Sequence, residues 1–110
     1  MDEIWLVMTN APDRKTARKI AALLVDRKLA ACVNIVGACE SVYRWEGKVE
    51  TAREVQIQIK TMAKCYAEVE ATIQASHPYQ LPEIVAWPLA AGLPTYLAWI
   101  RAETAVPRIA

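Results

Sequence analysis

A chain of 110 residues with a formal net charge of +1 has room for one domain, 1–110, and carries no electrostatic footprint for nucleic acid. Hydrophobic residues make up 55% of it, yet Phe is absent, so Ala, Val, Ile and Leu carry the packing. No apolar run reaches the roughly 18 residues of a membrane span, and so much apolar surface on so small a chain points to self-association.

The start, Met1-Asp2-Glu3, is acidic and runs directly into a strand-like stretch, whereas a signal peptide begins basic and carries an apolar core. Ile4-Trp5-Leu6-Val7-Met8-Thr9 suits a buried central strand, broken by Ala11-Pro12-Asp13. Asp13 caps a helix in which Thr16, Ala17, Ile20, Ala21 and Leu24 recur at helical spacing to about Lys28.

From Leu29 to Thr61 the chain reads as two strands joined by a tight turn at Trp45-Glu46-Gly47-Lys48. In the second arm Arg53, Val55, Ile57 and Ile59 alternate with Glu54, Gln56, Gln58 and Lys60, so one face is apolar and the other polar. The first arm, Ala30 to Tyr43, is rich in Cys, Val, Ile and Ala and reads as buried on much of both faces. Strands commonly run about five or six residues, so the far end of this hairpin projects and needs a partner, read here as another copy of the chain. Trp45 at the tip would be exposed in a monomer and is expected to anchor on a neighbouring subunit.

Thr61 then offers an N-cap hydroxyl to a second helix with the stripe Met62, Tyr66, Val69 and Ile73. Pro78 ends that helix near Ser76, and His77-Pro78-Tyr79-Gln80-Leu81-Pro82 forms a stiff loop. Glu83-Ile84-Val85-Ala86-Trp87 is a fourth strand closed by Pro88, and Gly92-Leu93-Pro94 opens a last helix docked by Tyr96, Leu97, Trp99 and Ile100. The order βαββαβ plus a terminal helix predicts an α+β, ferredoxin-like sandwich with four antiparallel strands and both main helices on one face. The other sheet face is left without cover in a monomer, a second reason to expect an oligomer.

Leu29-Ala30-Ala31-Cys32-Val33-Asn34, Tyr43-Arg44-Trp45-Glu46-Gly47-Lys48, Glu54, Lys60-Thr61 and His77-Pro78-Tyr79 with Pro82-Glu83 together resemble the CutA divalent-cation tolerance proteins. The similarity runs from about Ile4 to Arg101. It implies a ferredoxin-like subunit in a tight homotrimer whose long hairpins extend the sheets between subunits. It also implies a cytoplasmic location, a link to tolerance of copper and other divalent ions, and no catalytic activity. Where copper ligation is proposed in that family, it uses a Cys before the first helix and two adjacent His before the Pro-Tyr pair. The matching positions here are Thr9, Ser76 and His77, so only His77 remains.

His77, the only histidine, is the first candidate metal ligand, since imidazole suits copper or zinc. The plainer reading is a helix-end ring bonded to a carbonyl. Cys32 is the second candidate, a soft ligand for Cu(I) that Met8 could join, although a Cys in such a run is more often a small core residue. Cys39 and Cys65 read as structural, with Cys65 near the packed face of the second helix, and an odd count without CxxC spacing fits reduced cytoplasmic thiols. Glu54 and Lys60 share one strand face by parity. With Tyr79, Glu83 and Trp45 they are expected to line an inter-subunit cleft that takes a small anion or a metal-bound ligand, or else to form an interface ion pair.

The chain has no Gly-rich phosphate loop, no nucleophile with a matched base and no RNA-type aromatic-Gly pattern. The reading is therefore a non-enzymatic homotrimer of divalent-metal, chiefly copper, homeostasis, holding metal weakly or between subunits. The alternative is a trimeric signal protein resembling the nitrogen-regulatory trimers. It would bind a small anionic metabolite in the cleft and act on an unidentified protein partner. An enzyme using the cleft carboxylates and His77 lacks a recognisable catalytic set.

Overall fold

The computed structural model describes residues 3–105. Its elements are β1 (Ile4–Ala11), α1 (Arg14–Asp26), β2 (Cys32–Trp45), β3 (Lys48–Met62), a 3-10 turn (Ala63–Cys65), α2 (Tyr66–Ser76), β4 (Ile84–Pro88) and α3 (Pro94–Glu103). The strands form one antiparallel sheet in the order β2-β3-β1-β4, in keeping with the βαββαβ reading.

Strand alternation decides which face is covered. Val7, Ala11, Val55, Ile57 and Ile59 point to one side and meet Ala17, Ile20 and Leu24 of α1 and Val69 and Ile73 of α2 in a single buried core. Local signals fix the ends of α1. The Asp13 carboxylate accepts from the Thr16 N–H at 2.7 Å, which holds its pKa below the usual value, and Lys28 beyond the helix takes a positive φ of 58°. The second helix starts later than its stripe suggests. Thr61 is still in β3, and its hydroxyl donates to the Leu29 carbonyl at 2.5 Å instead of capping α2. A 3-10 turn intervenes, and Cys65 lies fully buried within it with its thiol directed at the Ala105 carbonyl, 3.1 Å away. Burial pushes that thiol's pKa up.

The reverse sheet face is partly covered within the subunit. α3 lies across it at one end, where Ile4, Met62 and Ile100 are buried and Lys60 Nζ sits 5.6 Å from the centre of the Tyr96 ring. Tyr96 and Trp99, expected to dock this helix, instead stack on one another with centroids 5.5 Å apart and remain exposed. Trp87 and Val85 of β4 are exposed as well.

The hairpin carries the main departure from expectation. β2 is an edge strand, and no residue of it is buried in the single chain, against the expectation of burial on both faces. A register shift between Ile35 and Gly37 adds one residue to β2 and turns its alternation over, and Gly37 takes φ +128° there. The tip turn places Glu46 and Gly47 at positive φ, 49° and 81°, the pattern of a type I′ hairpin turn. Because β1 stops at Ala11 opposite Val55, the segments Cys39–Trp45 and Lys48–Glu54 run on as a two-stranded extension.

Candidate functional site

The extension is flanked by the loop between α2 and β4. Between them lies a cleft of about 970 Å³ lined by Ser41 to Trp45, Glu50, Glu54 and residues 78–83. The type I′ turn sets the register of the extension, pairing Trp45 with Lys48, Tyr43 with Glu50 and Ser41 with Ala52. Directly paired residues share a face, so Ser41, Tyr43 and Trp45 lie on the same side as Glu50 and Glu54.

A connected set of hydrogen bonds holds the loop to this surface. His77 ends α2 in extended geometry because Pro78 follows, and its buried ring turns toward β1. There Nε2 donates to the Asn10 carbonyl at 2.6 Å, while Nδ1 accepts the Tyr79 N–H at 3.2 Å. The two partners define the tautomer with its proton on Nε2. Tyr79 stacks obliquely on the imidazole, centroids 4.6 Å apart, and its hydroxyl donates to the Glu54 carboxylate. Partial burial, and then that hydrogen bond, push the Tyr79 pKa up to about 12. Glu54 also accepts from the Ser41 hydroxyl at 2.6 Å, and Glu83 accepts from Asn10 Nδ2 at 3.1 Å.

Of the residues singled out in the sequence, the structure brings Trp45, Glu54, Tyr79 and Glu83 together in this cleft. Trp45 is half-buried there rather than fully exposed. Lys60 does not join them. It lies six residues from Glu54 along β3, about 20 Å of extended strand, and donates to Asn34 Oδ1 at 2.7 Å. Parity places the two on one face but at opposite ends of it. His77 and Cys32 are also apart. Cys32 pairs with Lys60, which faces Leu6, whereas His77 docks on Asn10, four residues and about 13 Å further along β1. With both ring nitrogens engaged, His77 presents no lone pair to an ion, and Cys32 Sγ is 3.9 Å from Asn34 Oδ1. Ser76 and Thr9 add no ligand pair. Thr9 is buried in the core face, and its hydroxyl has no partner.

The sequence alone assigned no cleft role to Ser41, Tyr43, Glu50 or Asn10. The first three were recoverable by counting outward from the Glu46-Gly47 turn, since hairpin register follows from turn type. Asn10 gave no signal, because its role depends on where the distant loop lands.

Chemically the cleft is acidic. Among the described residues, Glu50, Glu54 and Glu83 line it against a single cation, Arg44. Hydroxyl and amide donors orient two of these carboxylates, and an excess of negative charge attracts cations over anions. Among the described residues, no three His, Cys, Asp or Glu side chains group closely enough to hold an ion.

Comparison with known proteins places this geometry in context. The family described as CutA1 divalent ion tolerance protein matches residues 5–103. The divalent-cation tolerance protein CutA of Thermus thermophilus is 42% identical over 104 residues, covering 94% of this chain and 99% of that one. The crystal structure of CutA from Xylella fastidiosa superposes with a TM-score of 0.91 at 41% identity, covering 94% of this chain and 99% of that one. A protein from Archaeoglobus fulgidus, described as a periplasmic divalent cation tolerance protein CutA, superposes with a TM-score of 0.88 at 39% identity. The match covers 91% of this chain and 97% of that one.

Proposed function

Because the chain belongs to the CutA1 divalent ion tolerance family, we propose that it works as a non-enzymatic homotrimer in the cytoplasmic handling of divalent metal ions, copper among them. In this reading ions are held weakly, by the cleft carboxylates and at contacts between subunits. The carrying observation is the cleft itself: three carboxylates and one arginine lie between a projecting hairpin and a tethered loop. Oxygen donors of this kind suit divalent ions better than Cu(I), which favours thiolate and thioether. The absence of a three-ligand group within one subunit, among the described residues, supports a weak or shared site. Exposed Val36, Val42 and Val49 on the hairpin support the assembly, since an apolar edge strand invites pairing with a second chain.

The alternative, a trimer that binds an anionic metabolite in the cleft, loses support from the same residues. Lys60, its main cation, stands elsewhere, and the remaining lining is predominantly acidic.

Native mass spectrometry with and without Cu(I), Cu(II) and Zn(II), on wild type and Glu54→Gln, tests the proposal. The expected result is a trimer that takes up about three divalent ions, with uptake reduced in the variant. A monodisperse monomer, or ion uptake indifferent to Glu54→Gln, overturns it.

A further inference from the structure

Imidazole is the side chain whose charge ordinarily changes between about pH 5 and 8, and the chain has one, His77. Its ring is 8% exposed and ties the loop between α2 and β4 to the sheet. Nε2 donates to the Asn10 carbonyl of β1, while Nδ1 accepts the Tyr79 N–H, the first amide proton available after Pro78. Only the neutral ring can make both bonds. A proton on Nδ1 turns that acceptor into a donor, so two N–H groups would face each other across 3.2 Å in a buried position.

The surroundings offer the new donor no partner. The last turn of α2, residues 73–76, carries no charge. The titratable groups that face the loop from other elements are Glu54 of β3, Tyr43 of β2 and Asp13 ahead of α1, and Glu83 lies beyond Asn10. Each carboxylate is already committed: Glu54 to the Ser41 and Tyr79 hydroxyls, Glu83 to Asn10 Nδ2, and Asp13 to the Thr16 N–H. The loop also carries Tyr79 and leads into Glu83, so its release undoes the bonds from Tyr79 to Glu54 and from Asn10 to Glu83. We propose that His77 is an acid-sensitive latch: the neutral ring holds the loop against β1 and the hairpin, and a proton taken from solvent at Nδ1 releases it and opens one wall of the cleft. The open state binds one proton more than the closed state, so opening becomes easier as pH falls through the imidazole range and is unaffected above it. The device is independent of what the cleft binds.

Hydrogen exchange read by mass spectrometry tests the latch on the full chain with a chelator present. The loop, residues 77–83, is compared at about pH 7.5 and about pH 5 after correction for the intrinsic exchange rate. Its protection is expected to fall about tenfold at the lower pH, while segments around Ile57 and Ile59 keep theirs. His77→Gln offers one donor and one acceptor on an amide that takes no proton, and is expected to show equal loop protection at both pH values. Nitrogen-15 NMR of the wild-type ring decides the matter if that variant fails to fold. The Nε2–H tautomer is expected at the higher pH, with imidazolium appearing only as loop protection is lost. Equal protection of the wild-type loop at the two pH values, the same fall in folded His77→Gln, or imidazolium alongside a fully protected loop overturns the proposal.

Discussion

The two halves of one hairpin share an alternating pattern and do different work. In the inner half, Ile57 and Ile59 are fully buried because α1 and α2 close over that face. In the outer half, beyond the end of β1, Val42 is 66% and Val49 64% exposed. Alternation alone marks which side chains share a face. Whether that face becomes core depends on a second layer, and here the second layer stops where β1 stops. The outer half is covered on one side only by the loop that His77 pins to Asn10. The buried apolar contacts of the subunit therefore lie in the inner half, whereas the outer half is left largely exposed in the single chain.

The largest test of that contrast is a pair of truncations. Ile57→Ala leaves a cavity in the core and is expected to cost about 3 kcal/mol of unfolding free energy. Val49→Ala, at an exposed position, is expected to change subunit stability by about 0.5 kcal/mol or less. Urea denaturation of both variants checks the pair. Next comes the tether. His77→Ala removes partners from the Asn10 carbonyl and the Tyr79 N–H and is expected to cost about 2 kcal/mol. Hydrogen exchange should show faster exchange in the loop while the amides of Ile57 and Ile59 stay protected. Thr61→Val, which removes the hydroxyl bond to Leu29 at the inner end, is expected to cost about 1 kcal/mol by the same denaturation assay.

The narrowest effect is a titration, confined to alkaline pH. Tyr79 holds its proton to about pH 12 when folded, whereas an unfolded tyrosine releases it near 10. Between those values the folded state binds more protons than the unfolded one, so stability falls as pH rises through this window and is unaffected below it. Tyr79→Phe should flatten that alkaline slope in denaturation curves and remove the latest-titrating phase of tyrosinate absorbance.

Much of this was legible in the residues. The Asp13 cap, the Glu46-Gly47 turn, the helix stop before Pro78 and the Val55-Ile57-Ile59 face each follow from a local rule, and each stands where expected. The errors arose where tertiary placement overrode local pattern. Cys, Val and Ile in β2 looked like core, but the sheet order puts that strand at an edge. Thr61 looked like a cap, but β3 runs through it and Leu29 takes its hydroxyl. Parity places Glu54 and Lys60 on one face but not side by side along it, and within the chain Lys60 donates to Asn34. Trp45, Glu54, Tyr79 and Glu83 line one cleft within the single chain, and the hydrogen bonds joining Tyr79 to Glu54 and Asn10 to Glu83 depend on where a loop distant in sequence lands, Glu83 being 73 residues from Asn10.

The most direct test of the central claim, that the outer hairpin serves assembly and not subunit folding, is sedimentation velocity on wild type and a Val42→Lys/Val49→Lys double variant. Helical circular dichroism is followed in parallel. The account predicts a wild-type trimer and a double variant that sediments as a folded monomer with its helix signal intact. A wild type that runs as a monomer, or a double variant that loses its helix signal, would contradict it.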